Sequence, residues 1–203
     1  LLERERVPAT FFMIGSHVAA HPDLARMVDR AGFAIGNHTW AHQDLRSLSD
    51  TGIRQALRAT HRALIRAGVR PSRLARPPYG AIDDRVRRVL GDMGYTPVLW
   101  TIDPRDWDGA TTAQIEQRVI AAVGAHRTNI VLQHDGVANS PATLRAVGDE
   151  IRVLRQRGYC FAALDAQGRP TPPVPVAAAS TAQHRVAEGS RVRITVRLDR
   201  PTS

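Results

Sequence analysis

Short apolar runs alternate with longer amphipathic stretches along the chain as far as Leu164. The short runs have the length of strands, and apolar residues recur at helical spacing in the stretches between them. The predicted strands cover residues 9–15, 33–38, 73–76, 96–103, 129–134 and 160–164. Strands joined by helices of this length pair in parallel through crossover connections, so the pattern predicts an α/β fold with a parallel sheet.

The predicted helices have recognisable starts and ends. Pro22 lies in the first turn of a helix that Gly32 ends, and Gly68 ends a longer helix over 49–67. The other predicted helices cover residues 84–93, 112–123 and 140–157. About six strand–helix units favour either a barrel of the β/α type or an open doubly wound sheet. The pattern leaves both architectures open.

Composition changes after Leu164. Proline and alanine dominate residues 166–185, which predicts an extended linker. Residues 186–203 alternate apolar and polar positions with a period of two, which predicts a strand with one buried face. This last segment is too short to form a core, and it resembles the start of a Calx-beta or other immunoglobulin-like module. We therefore expect a main domain over 1–165, a linker over 166–185 and a β-strand fragment over 186–203.

The chain has a formal net charge of +9, and every one of its basic residues is arginine. A basic excess raises the question of nucleic-acid binding. The arginines are spread through many predicted helices, however, and no compact basic run alternates with aromatic residues, so we expect no nucleic-acid partner. No apolar run approaches the roughly 20 residues of a membrane span, so we expect no such span. The composition leaves the oligomeric state open.

Side chains suited to catalysis follow four successive predicted strands. They are His38 and His42, then Arg76, then Asp103 and Asp106, then His134. In parallel α/β folds the carboxyl ends of the strands meet at one edge, and that edge carries the site. Two histidines four positions apart can bind one metal if the chain between them turns back. The pattern therefore predicts a site at one edge of the sheet, with His38 and His42 as candidate metal ligands.

Together these segments resemble the polysaccharide deacetylase family, also called the NodB-homology family or carbohydrate esterase family 4. That family has five ordered motifs on a distorted (β/α) barrel. Four of them match in order: His38-Thr39-x-x-His42, Arg76-x-Pro78-Tyr79, Asp103-x-x-Asp106-Trp107 and Leu132-x-His134. The resemblance covers roughly residues 1–165 and implies the barrel fold. It also implies a metal-dependent hydrolase that removes acetyl groups from an N-acetylglucosamine-type glycan, such as peptidoglycan or a chitin-like polymer.

The family's first motif, Thr-Phe-Asp-Asp-Gly-Pro, does not occur in this sequence. In the family it precedes a strand that residues 7–12 resemble, and it supplies the general-base Asp and a third, carboxylate metal ligand. We therefore expect a domain that lacks its first strand, with that third ligand upstream of Leu1 and with impaired activity in the chain as given. The alternative is an inactive, glycan-binding deacetylase-like domain of a larger surface protein. The family implies a secreted or cell-surface location, although the chain carries no visible signal peptide.

The resemblance also implies a role for each matching residue. His38 and His42 would bind a divalent metal, zinc or another transition metal. His134 would be the general acid for the departing sugar amine, with Asp103 or Asp106 holding its tautomer; the sequence leaves both carboxylates open. Arg76 would orient the base Asp by charge-assisted hydrogen bonds.

Three further residues would contact the acetyl group. The backbone N–H of Tyr79 is a candidate donor to the oxyanion, in a loop whose φ angles are restricted by the two prolines before it. Trp107 and Leu132 would line the acetyl pocket.

Overall fold

The structure, a computed structural model, describes residues 1–124 and 128–171. Residues 172–203 contain most of the predicted linker and the whole predicted β-strand fragment, and they lie outside the described residues.

Four parallel strands form the main sheet and lie side by side in chain order. They are β1 (Thr10–Met13), β2 (Ala34–Asn37), β3 (Leu74–Ala75) and β4 (Thr96–Pro97). An isolated parallel bridge between Ile102 and Val131 adds the next two chain segments. A doubly wound sheet reverses its strand order at a switch point, whereas these strands advance in one direction, as in a (β/α) barrel. The predicted parallel α/β fold is confirmed.

Seven helices occur within the described ranges. They are α1 (Leu2–Glu5), α2 (Gly15–Ala20), α3 (Pro22–Arg30), α4 (Asp50–Arg66), α5 (Asp84–Asp92), α6 (Thr112–Ala122) and α7 (Ser140–Gln156). The five longer helices agree with the predicted ones because their ends are fixed locally. Ser49 accepts a hydrogen bond from Gly52 N at the start of α4, and Thr111 forms a capping box with Gln114 at the start of α6. None of these helices is long and apolar enough to cross a membrane.

Helix α4 lies at the centre of the core because its apolar stripe faces two neighbouring clusters. Ile53 and Leu57 pack with Val86 and other residues of α5, and Leu64 packs with Ile35 of β2 in a second cluster. The side chains of Ile53, Leu57 and Leu64 are fully buried. Burial of an aliphatic side chain of this size stabilises the fold by about 1.5–3 kcal/mol, so α4 fixes the position of β2 and of the loop that follows it.

Two of the predicted strands are much shorter than expected. In the predicted strand 96–103, only β4 and Ile102 pair with a neighbouring segment. In the predicted strand 129–134, only Val131 does so, through its bridge to Ile102. The ladder continues past Pro97 only as far as the N–H of Val98, which donates to Ala75 O. Apart from the bridge between Ile102 and Val131, the chain beyond that point forms the loops that carry Asp103, Asp106 and His134.

The last predicted strand pairs differently from the parallel strands. Strand β5 (Ala163–Leu164) is antiparallel to β6 (Pro170–Thr171). The Asp165 carboxylate accepts backbone hydrogen bonds from Gln167 and Arg169 in the turn between them, and Gly168 adopts a φ of 73°. Residues 166–171, which were predicted to begin an extended linker, therefore form this turn and strand β6. The proline-rich composition hid this turn.

Candidate active site

The loop after β2 brings His38 and His42 together. Residues 39–41 form a turn, and Thr39 and His42 both have positive φ, 65° and 56°. Non-glycine residues adopt this conformation only where the surroundings enforce it. Gly15 N and Ser16 N, at the start of α2, donate to the carbonyls of Thr39 and Trp40, each at 2.9 Å. As a result the ring centroids of His38 and His42 lie 4.8 Å apart, nearly perpendicular to each other.

Asn37 anchors this loop, and the sequence analysis did not identify it. Its side chain is buried; Oδ1 accepts from Thr39 N at 3.0 Å, and Nδ2 donates to Leu57 O at 2.9 Å and to Tyr95 Oη at 3.3 Å. Asparagine favours turns through this kind of local hydrogen bond. An Asn at the end of a strand, directly before His-x-x-x-His, was the signal that could have revealed it.

His38 is held in the form that binds a metal. Burial lowers the pKa of His38 to about 4, although its bond to Arg76 O opposes the shift; the charges of His42, Arg76 and His134 lower it further. The ring is therefore neutral at neutral pH. Its Nδ1 lies 2.6 Å from Arg76 O, and a carbonyl only accepts hydrogen bonds, so Nδ1 carries the proton. The lone pair of Nε2 is then free for a metal.

His42 lies in a similar electrostatic environment. Burial lowers the pKa of His42 below its ordinary value, and the charges of His134 and His17 lower it further. His134 thus acts on the pKa of both loop histidines, as expected if the three imidazoles share one edge of the fold. His17, on α2, was not identified as a site residue from the sequence.

The two loop histidines suit a divalent transition metal as part of a ligand set. Neutral imidazoles are common ligands of zinc and related ions, and the lone pair of His38 Nε2 meets that requirement. Within residues 1–124 and 128–171, no group of three or more His, Cys, Asp or Glu side chains is arranged to hold a metal. His38 and His42 are therefore the candidate ligands whose rings the loop brings together.

Arg76 is a buried cation at the same edge. Its guanidinium lies 4.2 Å from the centroid of the Phe12 ring and 5.8 Å from that of Trp100, and Nε donates to Val98 O at 3.4 Å. Burial lowers the pKa of Arg76 to about 10. No carboxylate in the described part of the chain forms an ion pair with it. A buried charge without a counter-ion is costly, so Arg76 is suited to an anionic partner, as expected for the predicted base Asp.

Asp106 and His134 form the most tightly held pair of the site. Asp106 Oδ1 lies 2.7 Å from His134 Nδ1, and Oδ2 accepts from His134 N at 2.7 Å. Burial alone would raise the pKa of Asp106, but hydrogen bonds from the ring and backbone of His134 and from Thr143 outweigh it, so the pKa lies below its ordinary value. An ionised carboxylate can only accept. Nδ1 of His134 therefore carries the proton, and Nε2 is left to exchange a proton with a substrate.

Of the two carboxylates that the sequence left open, Asp103 does not contact His134. Its side chain is exposed, and Oδ1 accepts from Arg105 N at 2.8 Å. Arg105 has a φ of 54°, which turns the loop between the two aspartates. Of the two open alternatives, the structure therefore pairs His134 with Asp106, while the Asp103 carboxylate closes a local turn.

Thr143 of α7 and Asn139, directly before this helix, complete the environment of Asp106, and neither was predicted from the sequence. Thr143 Oγ1 donates to Asp106 Oδ2 at 3.0 Å from a buried position, and Asn139 Nδ2 donates to the backbone carbonyls of Asp106 and Ala110. Both residues look like ordinary members of a helix start, so only the tertiary fold reveals them.

The remaining predicted site residues differ in exposure. Tyr79 has a φ of 61°, its ring centroid lies 4.7 Å from that of His42, and within the described ranges its backbone N–H donates to no protein acceptor. This N–H is free for a ligand oxygen. Leu132 is buried, whereas Trp107 is 49% exposed, with the Arg105 guanidinium 5.7 Å from its ring. Trp107 can therefore contact a ligand from solvent, whereas Leu132 belongs to the buried apolar interior.

Comparisons with known proteins identify relatives of this chain. The sequence model of a family described as polysaccharide deacetylase matches residues 1–98. The chain is 39% identical over 175 residues to chitooligosaccharide deacetylase of Rhizobium leguminosarum bv. trifolii, covering 81% of this chain and 80% of that protein. It is 34% identical over 163 residues to a peptidoglycan-N-acetylglucosamine deacetylase of Bacillus cereus, covering 79% of this chain and 75% of that protein.

A solved structure matches over most of the described fold. The family 4 carbohydrate esterase from Streptomyces lividans, solved in complex with acetate, superposes with a TM-score of 0.77 at 31% identity. The match covers 85% of this chain and 88% of that one.

Proposed function

The chain belongs to the polysaccharide deacetylase family, carbohydrate esterase family 4, and from this premise we propose that it hydrolyses the N-acetyl groups of an N-acetylglucosamine-type glycan, either peptidoglycan or a chitin-like polymer. Its relatives include deacetylase hydrolases. Two relatives support the substrate class, since one is named for chitooligosaccharides and the other for peptidoglycan N-acetylglucosamine. The observation that carries the proposal is the hydrogen-bonded pair of Asp106 and His134.

His134 is the general acid in this proposal. Deacetylation adds water to the acetyl carbonyl carbon and breaks the C–N bond, and the departing amine must receive a proton. With Nδ1–H bound to ionised Asp106, protonated His134 donates that proton from its other ring nitrogen, Nε2. Asp106 stabilises the imidazolium without itself becoming protonated, because its pKa lies below the ordinary value.

The acetyl group is bound at the rim of the same site. The N–H of Tyr79 is positioned to donate to the carbonyl oxygen as it becomes an oxyanion, and removal of one such donor in other enzymes costs about 2.7–4 kcal/mol of the barrier. In this proposal the buried Leu132 and the exposed Trp107 are the apolar side chains that contact the acetyl methyl group. Arg76 orients an anionic group, which the family resemblance identifies with the base Asp.

His38 and His42 would hold the divalent metal, for which we propose zinc, because both rings are neutral at neutral pH. When bound, such an ion polarises the acetyl carbonyl and lowers the pKa of a bound water.

The experiment is acetate release by the full gene product that contains this chain. The substrates are N-acetylchitooligosaccharides, peptidoglycan and, as an O-acetyl ester, acetylxylan. We expect release from an N-acetylated glycan and its loss in His134→Gln, while His21→Gln, in the turn before α3, serves as the matched control. Glycan binding without acetate release from any substrate would contradict hydrolysis and favour the inactive glycan-binding domain.

Substrates of this class are cell-wall polymers or extracellular oligomers, so we propose a secreted or cell-surface location. Fractionation of producing cells, followed by immunoblotting, tests it. A product confined to the cytoplasmic fraction would refute this proposal.

A further inference from the structure

Behind the acid pair lies a second polar contact that the proposed reaction does not use. Glu150, on α7, is 5% exposed, and Gln133 Nε2 donates to both of its carboxylate oxygens, at 2.8 and 3.1 Å. Gln133 directly precedes His134. The residues on either side of Gln133 are held by backbone hydrogen bonds: Leu132 N donates to Ile102 O, and His134 N donates to Asp106 Oδ2.

One face of α7 supports both members of the acid pair. Thr143 and Glu150 are seven residues apart, two helical turns, and therefore lie on the same face. Between them, Ala146 is fully buried. Thr143 holds the carboxylate of Asp106, and Glu150 holds the side chain next to His134. The two partners of the acid pair, which come from different loops, are thus tied to one rigid element.

Burying the ionised carboxylate of Glu150 at this position is energetically unfavourable. Burial raises the pKa of Glu150 to about 7; the hydrogen bond from Gln133 opposes the shift, and repulsion from Glu116, Asp106 and Asp149 adds to it. Within the described ranges no cation pairs with it. A carboxylate that is buried near other acids does not serve stability, and such groups concentrate at functional sites.

From these contacts we propose that Glu150 is a positioning residue for the general acid: by binding Gln133 it fixes the backbone of residues 132–134, and so the direction of the His134 ring relative to Asp106. As a contribution to catalysis this inference rests on the proposed function. The inference about the orientation of the His134 ring rests only on the hydrogen bonds described above.

The kinetic test compares Gln133→Ala, Glu150→Ala, their combination and Glu150→Gln. Misplacing a catalytic group slightly is costly, so each alanine variant should lower kcat about tenfold while KM stays within about twofold. Because both act through one contact, the double variant should lose no more than either single variant. Glu150→Gln keeps an oxygen acceptor for Gln133 and should recover most of the loss. Glu116→Ala, which removes a facing charge without touching Gln133, is the control.

Losses that multiply in the double variant would overturn the proposal. So would a Glu150→Gln variant as slow as Glu150→Ala, or an effect on KM alone.

A second readout does not need activity. The proton on His134 Nδ1, bound to Asp106, is expected to give a low-field ¹H signal, assigned by its absence in His134→Gln. We expect this signal to broaden or to exchange faster in Gln133→Ala and to be unchanged in Glu116→Ala. An unaltered signal in Gln133→Ala would overturn the positioning role. If the unmodified protein releases no acetate but the signal responds as expected, only the proposed function fails.

Discussion

Asp106 holds His134 at two points, with one carboxylate oxygen 2.7 Å from ring Nδ1 and the other 2.7 Å from the backbone N–H. The ring and the chain that carries it are therefore oriented by the same buried group. Because Thr143 and Asn139 in turn hold Asp106, the acid depends on α7 as well as on its own loop.

Replacing Asp106 tests this arrangement. In Asp106→Asn the size is kept, but the anion that fixes the Nδ1–H tautomer and stabilises the imidazolium is lost. We expect kcat for acetate release to fall at least about 100-fold, with little change in KM. Asp103→Asn is the matched control: its carboxylate is exposed and bonds only within its own turn, so kcat should stay within about threefold. Equal losses in the two variants would contradict the assignment of Asp106.

The loop histidines predict weak, specific zinc binding by the chain as given. Two imidazoles are fewer ligands than the three or four of ordinary zinc sites, so zinc should be lost on dialysis. Isothermal titration should detect weak binding that His42→Ala abolishes. His17→Ala is the control. The charge of His17 lowers the pKa of His42, but His17 is not among the candidate ligands. Tight stoichiometric zinc after dialysis, or its loss in His17→Ala, would show that a third ligand lies within this chain.

Gly15 sets how closely α2 approaches the histidine loop. A Cβ at this position would lie 2.6 Å from Thr60 Oγ1, 2.7 Å from Trp40 Cε3 and 2.8 Å from Thr60 Cα, and the last of these is backbone. Gly15→Ala must therefore push α2 away from α4 and from the Trp40 ring. We expect a loss of about 1–3 kcal/mol in the free energy of unfolding, measured by urea denaturation.

Gly91→Ala gives the matched comparison for this prediction. Gly91 lies in α5, and nothing approaches within 4 Å of the Cβ that would be added. Alanine should therefore stabilise the protein by about 0.5–1 kcal/mol through helix propensity. A neutral Gly15→Ala would mean that the contact between α2 and the loop is loose.

The sequence predicted those features that are encoded locally. Ser49 and Thr111 mark helix starts whatever surrounds them, and His38 and His42 converge because Asn37 and the loop between them form a turn. Helix α2 was missed because its six residues are too few to show helical periodicity. The pairing of β5 with β6 was missed because a two-residue strand, β6, pairs only through a turn that the proline-rich composition obscures.

The choice between Asp103 and Asp106 could not be made from spacing. It depends on the left-handed φ of Arg105, which turns one carboxylate outward and the other inward. Glu150 was not recognised either, since a Glu on an amphipathic helix looks like a solvent-facing residue. Its partner, Gln133, comes from a distant segment, so only tertiary packing brings the two together.

Glu150 also makes stability depend on pH in a direction opposite to that of most carboxylates. Its pKa rises from 4.5 to about 7 on folding, so the folded chain holds the proton more readily than the unfolded chain does. This contribution to stability is fully present below about pH 4.5 and is lost as pH rises through about 7. At pH 8 the buried carboxylate costs up to about 3 kcal/mol relative to its protonated form.

Glu150→Gln mimics the protonated form at every pH. We therefore expect it to raise the free energy of unfolding at pH 8 by as much as about 3 kcal/mol, and to change it little at pH 4.5. Urea denaturation at both pH values measures the difference. Asp149→Asn, the exposed neighbour on α7, is the control and should show no comparable gain. Equal stability of wild type and Glu150→Gln at pH 8 would mean that the Glu150 carboxylate is solvated in solution, because only a desolvated charge carries this cost.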